Sequence, residues 1–171
     1  MSDTTVIHTG RKFRLEQRTS TGPDGRRHTL DVVVHPGAAV ILPLLPDGRV
    51  LLERVYRFAL GRELLELPAG TVDPPESPAV CAARELEEET GYRAGRITPL
   101  LTFQSSPGFC TETLHAFVAT ELVAGAPRLE AGELITPAPL TLAAALDAIR
   151  TGEITDGKTI ATLLYYARYA T

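Results

Sequence analysis

GTVDPPESPAVCAARELEEETGY, from Gly70 to Tyr92, closes on a dense run of carboxylates, and its reading decides the fold. The spacing predicts a helix over Ser77–Thr90. Ser77 can cap the first turn, Pro78 sits at the favoured first position, and Gly91 can take the left-handed stop. On that helix Glu85, Glu88 and Glu89 fall at i, i+3 and i+4 and share one face, while Ala82 and Leu86 lie away from it and can pack inward. Like charges at this spacing weaken an isolated helix. A cation bound between them reverses that penalty, and hard cations such as Mg²⁺ prefer oxygen ligands. Arg84 can pair with a neighbouring carboxylate and hold its rotamer. An acidic run is most often a solvated face, so the choice rests on its surroundings.

Upstream, the chain reads as strands. Lys12–Thr19 alternates partly and Thr29–His35 is rich in Val; PDGR occurs at Pro23–Arg26 and again at Pro46–Arg49, each time as a tight hairpin turn between apolar runs. Ala38–Leu45 and Arg49–Tyr56 are the expected arms of the second hairpin. Glu63–Ala69 is expected as a short strand or bridge that breaks at Gly70. Downstream, strands are expected at Ile97–Gln104 and Thr113–Leu122. Helices follow at Thr141–Arg150 and at Thr159–Tyr169, the last with Ile160, Leu163, Leu164 and Ala167 on one stripe. Strands with one helix in mid-chain and two near the end predict a mixed α/β sandwich.

Composition narrows the function. The 171 residues carry 21 acids and 17 bases, a net charge of −4, with 44% apolar and 22% charged content. That is an ordinary globule without the basic excess of a nucleic-acid or anionic-membrane binder. Residues 70–92 hold six acids against one base, a local charge of −5, and the remainder has 15 acids and 16 bases, or +1. The acidity is therefore one segment set in a near-neutral body whose bases, apart from Lys12 and Lys158, are arginines, a side chain suited to phosphate. No apolar run reaches the roughly 18 residues of a membrane helix. The opening MSDTTVIHTG lacks the pattern of a secretory signal. Cys81 and Cys110 give neither a disulfide framework nor a metal quartet, which leads us to expect a cytoplasmic protein. Cys81 is expected in the core, and His8, His28, His35 and His115 show no ligand spacing.

The segment reads G-x5-E-x7-R-E-U-x-E-E-x-G-U, with Gly70, Glu76, Arg84, Glu85, Leu86, Glu88, Glu89, Gly91 and Tyr92 in place. This resembles the signature of the Nudix hydrolases, and a chance match is on the order of 10⁻⁹ per start site on average residue usage. The one departure is Tyr92, where the family prefers an aliphatic residue. The resemblance implies a Nudix-type α/β/α sandwich with a mixed sheet, spanning residues 1–171 as one domain. It also implies hydrolysis of a nucleoside diphosphate linked to another moiety, with Mg²⁺ as cofactor and Mn²⁺ as a substitute. By the same resemblance Glu85, Glu88 and Glu89, with the Ala69 carbonyl, hold metal; Glu88 and Arg84 belong to the catalytic set; and Glu76 orients the loop and Arg84 rather than binding a cation.

A second stretch, Ser106-Pro107-Gly108-Phe109-Cys110-Thr111-Glu112, has its proline sixteen residues past Gly91. At that offset it resembles the ADP-ribose pyrophosphatase branch, in which the loop glutamate, here Glu112, serves as general base or as a further metal contact; the plainer reading is that Glu112 only starts a strand. Pro107 and Gly108 are then substrate-side residues. HPGAAVILPL at His35–Leu44, ELPAG at Glu66–Gly70 and GEITDGKTIATLLYY at Gly152–Tyr166 resemble the same branch, so that the likeness covers about three quarters of the chain. LERVYR at Leu52–Arg57 looks like the strand that supplies substrate arginines, which makes Arg54 and Arg57 candidates beside Glu66; Val55 stands where many relatives carry Gln. Tyr56, Phe58 and Phe109 are the candidates for base stacking. The expected substrate is ADP-ribose, cleaved to AMP and ribose 5-phosphate. GDP-mannose or another sugar nucleotide is the alternative, and a non-catalytic nucleotide-sensing module is a third reading. The branch implies a homodimer in which N-terminal strands, residues 1–35, exchange between subunits over a catalytic core of 36–171.

Overall fold

The computed structural model describes residues 3–170; Met1, Ser2 and Thr171, the ends of the expected unit, lie outside the described residues. Ten strands and three helices are seen among them. β1 (Asp3–Thr9), β2 (Arg14–Thr21) and β3 (Arg27–Val34) form an antiparallel sheet of their own, and Gly25 at φ 74 turns the chain between β2 and β3. β4 (Ala38–Pro43) lies in a four-stranded sheet with β7 (Ala69–Thr71), β8 (Arg93–Gln104) and β9 (Thr113–Val123), in the order β7-β4-β9-β8. β4 and β9 run parallel, so the sheet is mixed. β5 (Val50–Arg57) lies between β6 (Arg62–Glu66) and β10 (Ile135–Leu140) in a third sheet.

The expected hairpin of Ala38–Leu45 with Arg49–Tyr56 is only a turn. Leu45 N–H donates to the Arg49 carbonyl at 2.8 Å and Leu44 bridges Val50, and beyond that the arms part into different sheets. The reason is burial on both faces. Ala39 and Ile41 pack against α1 (Pro78–Thr90), while Val40 and Leu42 face the other way, toward β5, α2 (Leu142–Thr151) and α3 (Gly157–Tyr169). A strand apolar on both sides belongs inside a sheet covered on both faces.

Glu63–Ala69 is likewise two strands rather than one. β6 pairs with β5, and β7 pairs with β4, so Gly70 lies within a strand instead of breaking it. Pro68, which has no N–H to donate, sits at the crossing, and its carbonyl accepts from Ile41 N–H at 2.9 Å. β1 is exposed along its whole length, so no apolar alternation marks it in the sequence. β10 carries Pro137 and Pro139 and is tolerated as an edge strand beside β5. On α3 the buried positions are Thr159, Thr162 and Leu163, and Leu164 is 48% exposed, so the inward stripe excludes Leu164.

Candidate active site

The helix α1 is built as its sequence demands. Ser77 caps it, accepting from Val80 N–H at 3.3 Å, and Gly91 at φ 78 ends it, its N–H on the Glu87 carbonyl. Cys81, Ala82 and Leu86 are buried against Ile41, Phe117 and Ala119. Tyr92 packs at the margin of that cluster, which accounts for an aromatic residue at its position. Burying this face turns Glu85, Glu88 and Glu89 to the other side, toward β7.

Arg84 organises those carboxylates. It grips Glu76 with Nη2–Oε1 at 2.6 Å and Nε–Oε2 at 3.2 Å, and its Nη1 reaches Glu85 at 2.7 Å and Glu88 at 3.1 Å. Glu76 is thereby held down to about 2, with the Arg84 bond as the largest cause. Glu85 is pushed above the ordinary range by burial, against the pull of Arg84. Burial also raises Glu89 well above that range, and Glu53 and Glu85 add to it, while the Ala69 N–H on its Oε2 at 3.0 Å works the other way. Burial raises the Cys81 thiol to about 12, and the thiol points at the Gly70 and Thr71 carbonyls, so it is a packed group and not a nucleophile.

Two adjoining cavities open in front of this face. A smaller one of about 280 Å³ is lined by Glu85, Glu88, Glu89, Glu133 and Arg84. A larger one of about 620 Å³ is lined by Phe103, Gln104, Glu112, Leu114, Asp156 and Lys158. Lys12, Arg57, Ala69, Gly70 and Thr71 line both, so the two form one cleft. Both lysines of the chain are on its walls.

Of the expected site residues, the cleft collects Ala69, Arg84, Glu85, Glu88, Glu89, Glu112 and Arg57. Glu112 lies 3.5 Å from His35 Nδ1; the Gly37 N–H donates to that same nitrogen at 3.1 Å, which makes it an acceptor there. Glu66 is 1% exposed and lines neither cavity: it receives both Arg57 Nε and Nη2 at 2.7 Å, and Lys158 Nζ as well, so it holds two of the cleft's cations in place. Burial opposes its ionisation, but those cations keep it below the ordinary range. Arg54 points away and pairs with Glu153 at 2.8 Å. Pro107, Gly108 and Phe109 are exposed on a loop outside the cleft; half-buried Tyr56 and exposed Phe58 are outside its lining too, and the aromatic that does line it is Phe103. That loop is tied to β3, Val33 N–H donating to Phe109 and Thr111 N–H to Val33.

Sequence reasoning gave no role to Lys12, Lys158, Asp156, Glu133 or Glu53. The scarcity of lysine was the available signal for the first two, and an acid at an inward position of the apolar VLLERVYR strand for Glu53.

A family model described as NUDIX domain matches residues 33–163. The chain belongs to that family. It is 36% identical over 161 residues to an ADP-ribose pyrophosphatase of Bacillus subtilis, a match that covers 93% of this chain and 87% of the relative. It is 35% identical over 164 residues to a methanol dehydrogenase activator of Bacillus methanolicus, covering 95% and 89%. A GDP-mannose pyrophosphatase of Escherichia coli is 39% identical over 140 residues, covering 75% and 72%. A solved structure, described as an ADP compounds hydrolase, superimposes with a TM-score of 0.85 over 98% of this chain and 91% of its own at 22% identity, which bears out the Nudix α/β fold class.

Nudix hydrolases use divalent metal ions. The residues present fit such an ion. A β-carbon built on Gly70 would stand 1.9 Å from the Glu85 carboxyl, so only glycine leaves that carboxylate its place against the β7 backbone. Among the described residues no three His, Cys, Asp or Glu side chains already converge on one point. Glu85 is turned to Arg84 and Glu89 to the Ala69 N–H. No helix among the described residues is long and apolar enough to cross a membrane.

Proposed function

We propose that this chain hydrolyses the diphosphate bond of a nucleoside diphosphate sugar, with ADP-ribose, cleaved to AMP and ribose 5-phosphate, as the preferred substrate. The observation that carries this reading is the opposition across one cleft. Carboxylates of α1 form one wall, and Arg57, Lys12 and Lys158 reach in from the others. A diphosphate repels a nucleophile, so cations must offset its charge from several sides.

Mg²⁺, for which Mn²⁺ can substitute, supplies charge neutralisation and acidifies the attacking water when held by Glu85, Glu88, Glu89 and the Ala69 carbonyl. Arg84 holds Glu85 and Glu88 in register and Glu76 holds Arg84. Water oxygen adds to one phosphorus, the bridging P–O bond breaks, and the proton of the water passes to Glu112 or Glu88. Arg57 and Lys158, steadied by Glu66, receive anionic oxygens of the substrate. The likeness to the Bacillus subtilis pyrophosphatase supports ADP-ribose. The likeness to the Escherichia coli enzyme favours GDP-mannose as the second reading. The intact carboxylate set argues against a purely sensing module.

We further propose a homodimer built through residues 1–35 on the core of 36–171, supported by Val6, Ile7 and Leu30, which are more than half exposed on β1 and β3. A cytoplasmic setting is supported by two free cysteines.

The test is a panel of ADP-ribose, GDP-mannose, UDP-glucose, dinucleoside polyphosphates and NADH with Mg²⁺, scored by monophosphate release and ranked by kcat/KM. Turnover of ADP-ribose first is expected. Turnover of none of them would remove the reading.

A further inference from the structure

Among the described residues, the buried side-chain polar atoms that lack a hydrogen-bond partner are the two carboxylate oxygens of Glu53. Glu53 is 1% exposed and sits in mid-strand on β5, directly across from Glu66 on β6 and Pro137 on β10. Its charged neighbourhood is mostly acidic: Glu133, Glu66 and Glu85 act on it and it acts on Glu89, and Arg57 is the cation among the groups that act on it most. That cation is committed to Glu66 by two bonds. Glu85 has Arg84 and Glu89 has the Ala69 N–H, and Glu53 alone has nothing.

A buried carboxylate without a partner is among the costliest groups a core can hold, and such groups are paired or coordinate metals. No side-chain donor stands near enough to pair with it. The remaining acids of the cluster, Glu85 and Glu89 from α1 and Glu133 from the segment before β10, line the smaller cavity.

We propose that Glu53 is a donor to a divalent cation held between β5 and α1 together with Glu89, so that the cation site extends beyond the helix onto a second sheet. The proposal rests on the reading that the α1 carboxylates hold divalent cations. It adds a ligand that the helix motif does not contain, contributed from a strand seventeen residues before Gly70. A cation there gives the Glu53 oxygens their missing partner and offsets the repulsion among the acids around it.

Mn²⁺ binding to the full chain without substrate, followed by calorimetry and by electron paramagnetic resonance of free Mn²⁺, tests it. Wild type, Glu53→Gln and Glu89→Gln are compared, with thermal melts in and out of Mn²⁺. Glu53→Gln is expected to lose one bound Mn²⁺ or to bind it about 10- to 100-fold more weakly. Its metal-free melting temperature should match or exceed that of wild type, since an unpaired buried charge is gone, and its rise on adding Mn²⁺ should be smaller. If Glu53→Gln keeps wild-type affinity and stoichiometry while Glu89→Gln loses them, the Glu53 proposal falls and the helix reading stands. If wild type binds no Mn²⁺, both fall. Should circular dichroism show that Glu53→Gln does not fold, Glu53→Met, of similar volume and without charge, is held to the same two outcomes.

Discussion

Gly70 and Glu85 occupy space that only one of them can extend into: a β-carbon on Gly70 would lie 1.9 Å from the Glu85 carboxyl carbon and Oε1. Gly70→Ala therefore displaces the Glu85 carboxylate, proposed above to hold a cation, while leaving the core alone. Since a misplacement of about 1 Å can cost on the order of 10²-fold, kcat/KM should fall by about that much. The melting temperature should hardly move, because the clash is with the far end of a flexible side chain. Steady-state kinetics beside a thermal melt would check it.

Glu89→Gln should lower kcat by at least about 100-fold, the upper range for disturbing even a supporting group of a metal site. Monophosphate release at saturating substrate and Mg²⁺ measures it. Unchanged turnover would remove Glu89 from the mechanism.

The pair of Glu76 with Arg84 predicts acid sensitivity with a definite sign. Glu76 titrates near 2 in the folded chain against an ordinary 4.5, so between those values the unfolded chain binds more protons. The stabilisation is fully present above pH 4.5 and is lost as pH falls toward 2. Glu76→Gln should cost about 1–3 kcal/mol at pH 7 and converge with wild type near pH 2. Denaturant melts across that range would show it.

Glu66 predicts a split between binding and chemistry. Lys158→Met removes a cleft cation and should raise KM about tenfold, the effect of about 1.4 kcal/mol of lost binding, with kcat largely kept. Glu66→Ala leaves Arg57 and Lys158 without their shared carboxylate, and breaking a buried pair from one side costs about 3–5 kcal/mol. It should raise KM and lower stability together. The two variants compared by kinetics and chemical denaturation separate lost contact from lost positioning.

The apolar residues on β1 and β3 predict association. A solution mass twice the 18.4 kDa of the chain is expected by light scattering. Leu30→Lys together with Val6→Lys should return it to the monomer value, since charge on an apolar contact patch opposes its burial.

What could be read from the sequence was what is local. The α1 cap, stop and three-carboxylate face all lie within residues 70–92, and each depends on neighbours a few positions away. The parting of β4 from β5 depends on β9, more than seventy residues downstream of β4, and a turn signal at Pro46–Arg49 carries no information about that pairing. β1 has no apolar alternation, and β10 has prolines at alternate positions, so neither shows the strand period. The site divides the same way. Glu76, Arg84, Glu85, Glu88 and Glu89 were legible as one motif. Glu53 and Lys158 enter only because β5 pairs with β6 and because the start of α3 lies against Glu66.

The cleft's two kinds of wall come from separate stretches of chain. Glu85, Glu88 and Glu89 sit on α1, while Lys12, Phe103 and Lys158 belong to the loop after β1, the end of β8 and the start of α3. On the proposed reading, cutting the bond and choosing the molecule fall to different pieces of the protein. On that reading, residues facing the sugar or the base can be exchanged without disturbing the carboxylate helix. A scaffold divided in this way can acquire new substrates by changing its selective wall while its reactive one stays as it is.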